Sequence, residues 1–321
     1  MLQGWLVQVG VVVASVVGLW VGARWLVDAV GRLARRAGLS DLTIGLTVVA
    51  VGTSTPELAV SVDAAAKGLG DIAVANVLGS NVYNLAFILG VVAVVRVIPI
   101  AESLVRRDGV ALLASVVAVG AVLADRVVTR VEGAVLLALF VGYTGALLWT
   151  GRGSAAADGA DASAETGDRA ERVSFRARDA VLLVAGLALV LVSGDRLVVA
   201  ASALARGAGV SEWVIGGTIV AAGTSTPEFA VSLVALRRGS LGVSVGNVVG
   251  SNVFNATGIV GVAALVGPLS VSPSAFATLA WLAGVSAVMV AALWTGRVLS
   301  RLEGTLFAGS EVVRWVLGLL G

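Results

Sequence analysis

Apolar residues run along almost the whole chain, and short breaks of charged residues or of glycine and proline divide them into segments. Most segments approach the ~20 residues that an α-helix needs to cross the hydrocarbon core of a bilayer. The strands of a membrane β-barrel would instead be about ten residues long and would alternate apolar with polar positions. The pattern therefore predicts an all-α polytopic membrane protein with about ten transmembrane helices, near residues 4–23, 42–66, 72–95, 109–124, 131–150, 179–193, 213–236, 242–266, 274–295 and 304–320. The first and sixth helices are expected to continue through the amphipathic stretches that follow them.

Composition supports a membrane setting and excludes several kinds of chemistry. Hydrophobic residues make up 58% of the chain and charged residues 13%, whereas a soluble domain carries about 25% charged residues. The chain has no cysteine and no histidine, which removes thiolate metal sites, cysteine nucleophiles and the commonest general base. Residues 1–5 lack the basic segment of a signal peptide, so the first run is expected to be retained. We therefore expect a protein of the lipid bilayer that is not an enzyme, needs no cofactor and binds no nucleic acid.

The basic residues predict how the chain is oriented in the membrane. Ten spans that start from an outside N-terminus place 16 of the 22 lysine and arginine residues in the loops on the inner side. An excess of positive charge is typical of cytoplasmic loops. The sequence therefore predicts a multi-pass protein of the cell (plasma) membrane, with both termini outside and the central loop in the cytoplasm.

The chain contains an internal repeat. An offset of 171 residues aligns residues 37–90 with 208–261 without a gap, and GTSTPE occurs at 52–57 and again at 223–228. Five predicted spans separate equivalent points; because five is odd, the two halves face opposite ways across the bilayer. Inverted repeats of this kind are typical of transporters, whose binding site lies near the midplane where the repeats meet. We expect a first membrane repeat at 1–150, a flexible cytoplasmic linker at 151–178 and a second membrane repeat at 179–321, with the repeated motifs at 43–90 and 214–261.

Each copy of GTSTPE places polar groups on one face of a membrane helix. Residues spaced by three and four positions share a face, here Ala50, Ser54, Glu57 and Ser61, and in the second copy Ala221, Ser225, Glu228 and Ser232. Thr53 and Thr224 stand one turn before each glutamate. Pro56 has no N–H, so it releases the carbonyl of Gly52 inside the membrane, where protein, water or an ion must satisfy it.

A second repeated motif, NVLGSNVYN and NVVGSNVFN, adds serine and asparagine at the same offset: Ser80, Asn84, Ser251 and Asn255. Carboxylates, hydroxyls, amides and backbone carbonyls are oxygen donors, and Ca²⁺ takes about 6–8 oxygen ligands. Two glutamates would neutralise one Ca²⁺, and without a cation they would repel each other or take up protons. A site that always needs a cation favours exchange over leak. The alternative is that each glutamate is structural. Asp63 aligns with Val234, and lining of an access path and simple solvation remain equally open for it.

These two motifs resemble those of the cation/calcium antiporter superfamily, specifically the prokaryotic sodium/calcium exchangers. The resemblance implies exchange of cytosolic Ca²⁺ for external Na⁺ by alternating access, performed by a single chain. It implies that Glu57 and Glu228 are ligands shared by both ions and that the carbonyls of Thr53 and Thr224 bind Ca²⁺. It also implies flanking sodium sites formed by Ser54, Ser225, Ser80, Ser251 and the carbonyls of Ala50 and Ala221. Asn84 and Asn255 would line the middle of the site. Gating would be a sliding of the first and sixth helices against the core.

Two departures and several rival functions accompany the resemblance. Some relatives carry an acid where this chain has Asn255, and Ala75 stands where the second repeat has Gly246. The same fold with H⁺/Ca²⁺ or K⁺-dependent Na⁺/Ca²⁺ coupling remains an alternative. The serine and threonine oxygens favour Na⁺, and the absence of histidine disfavours protons. Two other classes of protein are also considered. A cation channel usually builds its pore by oligomeric symmetry, whereas this chain carries its own pair of repeats. An intramembrane enzyme would have to work without a recognisable nucleophile–base pair.

Overall fold

The computed structural model describes residues 2–99, 102, 104–151, 177–208, 221–296 and 298–320. Most of the predicted linker lies outside the described residues, and so do residues 209–220, which include the start of the second motif. Within the first half the helices are α1 (Leu2–Ala37), α2 (Asp41–Thr53), α3 (Thr55–Ala66), α4 (Gly70–Val95), α5 (Leu104–Gly109 continuing as Val110–Val122) and α6 (Arg130–Thr150). Within the second half they are α7 (Ala177–Gly207), α8 (Ala221–Thr224), α9 (Thr226–Arg237), α10 (Leu241–Val266), α11 (Ser274–Gly296) and α12 (Arg301–Leu320).

Several of these helices contain π-helical turns, in which the backbone is locally wider. They lie at Gly45–Val49 in α2, Tyr83–Ile88 in α4, Leu104–Gly109 at the start of α5 and Phe254–Ile259 in α10. Single π-turns inside helices are often found at functional sites. The turns of α4 and α10 begin at residues that are 171 positions apart, so the distortion belongs to the repeat.

Four short strands join the two halves. β1 (Ile98–Pro99) pairs antiparallel with β4 (Val298–Leu299), and β2 (Val127–Val128) pairs antiparallel with β3 (Leu269–Ser270). The offset of 171 residues that relates the two GTSTPE copies also turns β1 into β3 and β2 into β4. Each half therefore offers one strand to each pair, which is the arrangement expected of two repeats related by a two-fold axis.

The ends of equivalent helices are built in the same way. α6 begins with a capping box in which Thr129 accepts from the backbone of Glu132 and the Glu132 carboxylate accepts from the backbone of Thr129. Ser300 and Glu303 make the same pair of bonds at the start of α12. Such caps satisfy N–H groups that the first helical turn leaves without partners. The repeat therefore extends from the motifs to the outer helices.

The core of the molecule lies at α4 and α10. In their most apolar windows 72% and 89% of positions are buried, against 22% in α1 and in α7. α1 and α7 lie side by side outside this core. Gly22 and Gly186 allow this close approach, because a Cβ on either would come within 2.9 Å of the carbonyl oxygen of the other.

The predicted all-α membrane architecture is confirmed. In the described parts of the chain six helices are long and apolar enough to cross a bilayer, and the bent pair α2–α3 forms a seventh candidate. The helices α5, α9 and α12 lie at three further predicted spans. The expectation that the first and sixth helices continue beyond their apolar runs is correct, since α1 has 36 residues and α7 has 31.

Candidate cation site

A break in the helix presents each GTSTPE motif. α2 ends at Thr53 and α3 begins at Thr55, with a bend of 48° between them, and Ser54 has a φ of −80° and a ψ of 14°. Ser225 has nearly the same backbone angles, −87° and 9°, between α8 and α9. A proline at the first turn of a helix is tolerated because that N–H would lack an intrahelical partner anyway. The sequence therefore starts a new helix here, with the glutamate in its first turn.

The carbonyl that Pro56 releases is bonded within the protein. The hydroxyl of Thr55 donates to the carbonyl oxygen of Gly52 over 2.7 Å. In the second repeat Thr226 donates to the carbonyl of Ala222 over 3.2 Å. The second threonine of GTSTPE thus stabilises the break, and the Gly52 carbonyl is already an acceptor inside the helix.

The two glutamates are held by the serines of opposite repeats. The hydroxyl of Ser54 donates to Oε1 of Glu228 over 2.8 Å, and the hydroxyl of Ser225 donates to Oε1 of Glu57 over 2.8 Å. All four side chains are fully buried. Hydrogen bonds to a carboxylate are among the stronger ones in proteins. These two reciprocal hydrogen bonds place the two motifs face to face and fix one oxygen of each carboxylate.

Several oxygens of the glutamates and asparagines are buried without partners. Oε2 of Glu57, Oε2 of Glu228, Oδ1 of Asn84 and Oδ1 of Asn255 make no hydrogen bond in the described structure. Burying a polar group without a partner costs about 1–3 kcal/mol, and more if the group is charged. Such atoms at a functional position indicate a ligand that completes them. The donor set is oxygen-rich and carries carboxylates, which suits a hard cation.

Asn76 and Asn247 hold the backbone of the two glutamates in position. Neither asparagine was among the site residues expected from the sequence. Nδ2 of Asn76 donates to the backbone carbonyl of Glu57 over 3.0 Å, and Nδ2 of Asn247 donates to that of Glu228 over 3.3 Å. Both are the first letters of the repeated motifs NVLGSNVYN and NVVGSNVFN. Their recurrence at the same offset was the signal that could have identified them.

The serines one turn beyond each glutamate hold helix pairs together. Ser61 donates to the carbonyl of Ala73 over 3.2 Å and accepts from Asn76 over 3.0 Å. Ser232 does the same with Ser244 and Asn247, over 3.3 and 3.1 Å. These bonds tie α3 to α4 and α9 to α10, so Ser61 and Ser232 support the cluster and lie outside it.

Further bonds cross between the repeats. The hydroxyl of Thr53 donates to Oδ1 of Asn247 over 3.0 Å, and Nδ2 of Asn81 donates to the carbonyl of Asn252 over 3.0 Å. The hydroxyl of Ser251 lies 3.5 Å from the carbonyl oxygen of Ala50. With the Ser–Glu pairs, these contacts make the two motifs one connected cluster.

Seven of the twelve predicted site residues are bonded within this cluster: Glu57, Glu228, Ser54, Ser225, Thr53, Ala50 and Ser251. Ser80, Asn84 and Asn255 are buried on α4 and α10. Thr224 is the last residue of α8 and is half-buried. Ala221 begins α8, and its side chain lies outside the described set.

Two other carboxylates form ion pairs with a basic residue that is close in sequence. Asp63 is exposed and forms an ion pair with Lys67, 2.6 Å between Oδ2 and Nζ, one turn along α3. Glu311 accepts from Nε of Arg314 over 2.7 Å within α12. Both are short-range pairs within one helix.

Comparison with known proteins agrees with this arrangement. Residues 7–149 and 179–318 match the sequence model of a protein family that is described as "Sodium/calcium exchanger protein". The chain belongs to the sodium/calcium exchanger family. This membership makes it a cation/Ca²⁺ antiporter of the membrane and not an enzyme. The two matched segments leave out residues 150–178, which contain the whole predicted linker.

Relatives similar to the exchanger cover most of its length. The putative antiporter CaxA of Alkalimonas amylolytica is 34% identical over 92% of each chain. The sodium/calcium exchanger MaX1 of Methanosarcina acetivorans is 29% identical over 88% of this chain and 90% of its own. A solved structure of the sodium-calcium exchanger NCX_Mj soaked with Na⁺ and Ca²⁺ superposes with a TM-score of 0.80 at 30% identity, covering 96% of this chain and 97% of that one.

Proposed function

We propose that this antiporter exchanges Na⁺ for Ca²⁺ across the cell membrane by alternating access, with both ions bound near the midplane between the repeats. The observation that carries the proposal is the pair of buried Oε2 atoms on Glu57 and Glu228, each without a partner while its Oε1 is held by the opposite repeat. Two fixed carboxylates with one open oxygen each match the charge of one Ca²⁺. The names of MaX1 and NCX_Mj support Na⁺ and Ca²⁺ as the ions.

The cluster explains why transport would be coupled. Two buried carboxylates repel each other and lose hydration, and a cation relieves both costs. The cluster would therefore change sides readily only when occupied. One Ca²⁺ would take the Oε2 atoms and the carbonyls of Thr53 and Thr224. Sodium ions would use the flanking oxygens of Ser80, Ser251, Ala50 and Ala221, with Asn84 and Asn255 between them.

The structure also suggests which part moves. α1 and α7 are mostly exposed, and they pack closely on each other at Gly22 and Gly186, so they could move as one unit. Small residues let membrane helices approach closely in this way. We propose that this pair slides against the core to open the cluster to one side and then to the other, within a single chain whose termini are outside and whose central loop is cytoplasmic.

The test is uptake of radioactive Ca²⁺ into proteoliposomes loaded with Na⁺, with K⁺ or at acidic pH and diluted into Na⁺-free buffer. We expect uptake from Na⁺-loaded vesicles alone, and a loss of at least about 100-fold in Glu57→Gln and in Glu228→Gln, since one buried charge-assisted interaction is worth several kcal/mol. Asp63→Asn is the matched control, because it removes one exposed carboxylate from the same helix as Glu57.

Three other outcomes would change the conclusion. Uptake driven by a pH gradient alone would replace Na⁺ by H⁺ as the coupling ion. Uptake that requires K⁺ together with Na⁺ would indicate K⁺-dependent exchange. Ca²⁺ flux that needs no counter-ion would contradict antiport, and an equal loss in Asp63→Asn would contradict the assignment of the two glutamates.

A further inference from the structure

A polar cavity of about 350 Å³ lies between α1 and the start of α7, apart from the cation cluster. Its polar and aromatic lining is Trp20, Arg24, Trp25, Asp28, Arg32 and Arg178. The two tryptophans are exposed, and so are Arg24 and Arg178. The cavity therefore opens at the outer surface of the helix pair.

The charges around this cavity do not cancel. Nε of Arg32 lies 2.6 Å from Oδ1 of Asp179, and a guanidinium nitrogen of Arg238 lies 3.1 Å from Oδ2 of Asp28. Arg24 and Arg178 have no carboxylate partner among the described residues. The guanidinium carbon of Arg24 lies instead 5.2 Å from the ring centre of Trp20. Two guanidiniums thus remain to bind an anion.

The depth of the cavity matches the headgroup layer of a bilayer. Arg24 directly follows the apolar run at 4–23, which is long enough to cross the hydrocarbon core. Arg32 is eight residues further along α1, about 12 Å at the rise of an α-helix. The ion pair between Arg32 and Asp179 brings the start of α7 to the same level. Tryptophans are enriched at this boundary between lipid and water, so the lining extends from the hydrocarbon edge outward.

We propose that this cavity binds the phosphate of an anionic phospholipid, with Arg24 on α1 and Arg178 on α7 as its two ligands. Arginine binds phosphate through parallel hydrogen bonds, and basic pockets between membrane helices are suited to anionic headgroups. The acyl chains would lie along the exposed valines of α1, Val13, Val16 and Val17. A zwitterionic lipid would bring an ammonium group toward two unneutralised guanidiniums, so it binds less well.

The bound lipid would connect α1 and α7 at the end where the linker joins α7. Its effect on exchange rests on the proposed function, because a phosphate bridging α1 and α7 holds the pair that is proposed to slide as one unit. Binding itself does not rest on that proposal, and it is measured without transport.

The test is native mass spectrometry of the purified full chain with phosphatidylglycerol and with phosphatidylcholine of the same acyl chains. We expect tighter binding of phosphatidylglycerol. Arg24→Gln with Arg178→Gln should weaken it roughly 10- to 30-fold, given the contribution of a basic residue at an anionic surface. Arg96→Gln with Arg301→Gln is the control, since it removes two exposed positive charges outside the cavity.

Equal weakening in the two double variants would overturn the proposal, as would equal affinity for the two lipids. Glycerophosphoglycerol, the soluble headgroup, is the third arm. Binding of it as tightly as of the lipid would identify a site for free phosphate esters and overturn the lipid assignment. Unchanged gel-filtration profiles of the variants establish that they are folded, and the expected loss then belongs to the cavity.

Discussion

The serine–glutamate contacts of the inner helices are the same in the two repeats, whereas the polar contacts of the outer helices α6 and α12 differ. Ser54 and Ser225 donate across the repeats over the same 2.8 Å, and α3 and α9 both have 12 residues. On α6, Tyr143 donates to Asp108 over 3.1 Å, but the equivalent position of α12 is an arginine paired with Glu311.

The difference shows what keeps two copies of a motif alike. Each inner motif contacts the inner motif of the other repeat, so a change in one copy alters the partner of the other. α6 packs chiefly against α10 and α12 against α4, and among the described bonds neither α6 nor α12 supplies an atom to the cation cluster. Their polar pairs are therefore free to diverge. Substitutions made at equivalent positions can test this comparison directly.

The largest expected effect is at the two positioning asparagines. Asn247→Leu removes partners from the carbonyl of Glu228 and the hydroxyls of Ser232 and Thr53, all within a fully buried region. We expect a loss of about 3 kcal/mol or more in the free energy of unfolding, seen as a lower midpoint of thermal unfolding in detergent. Asn76→Leu should cost less, because Asn76 is only half-buried. A larger loss at Asn76 would contradict this account.

The next effect concerns Gly246 and its equivalent Ala75, which are two different small residues at the same position of the repeats. A Cβ at Gly246 would lie 2.6 Å from the carbonyl oxygen of Leu42, so Gly246→Ala forces α10 away from α2. Such overpacking costs about 1–3 kcal/mol. Ala75 at the equivalent position is exposed, and Ala75→Gly should cost only the ~1 kcal/mol of lower helix propensity. Thermal unfolding of both variants measures the two costs, and equal losses would show that α2 and α10 can separate freely.

Much of this architecture could be predicted from the sequence. Apolar runs give the helices, and the proline within GTSTPE gives the break near Ser54. The repeat offset gives the inverted halves. These features depend on local backbone preferences and on the number of spans between equivalent positions. They can therefore be predicted without knowing which helices contact each other.

The contacts within the cluster could not be predicted in the same way. That Ser54 donates to Glu228 rather than to its own neighbour depends on how the two repeats dock. The carbonyl of Gly52 was expected to be open, but the adjacent Thr55 hydroxyl bonds to it. Asn76 and Asn247 were visible as repeated letters, yet their roles follow from helix packing between α3 and α4 and between α9 and α10.

The two serine–glutamate bonds should be equivalent in function. Ser54→Ala and Ser225→Ala each remove one charge-assisted hydrogen bond at 2.8 Å. A bond of this kind contributes about 1.5–3 kcal/mol, so each variant should raise the Ca²⁺ concentration for half-maximal uptake by roughly tenfold or more. The measurement is the concentration dependence of uptake in proteoliposomes. A large effect in one variant and none in the other would mean that the repeats do not contribute equally.

The smallest expected effect is at the position where the inner helices differ in charge. Asp63 and Lys67 form an exposed ion pair at the end of α3, and the position equivalent to Asp63 in the second repeat is Val234. Exposed pairs on one helix contribute about 0.3–0.5 kcal/mol, so Asp63→Asn and Lys67→Gln should leave both stability and uptake nearly unchanged. Uptake at low Ca²⁺ separates the two roles open to Asp63. If the carboxylate attracts Ca²⁺ to an access path, Asp63→Asn slows uptake and Lys67→Gln does not, whereas a solvated surface pair leaves the two variants alike.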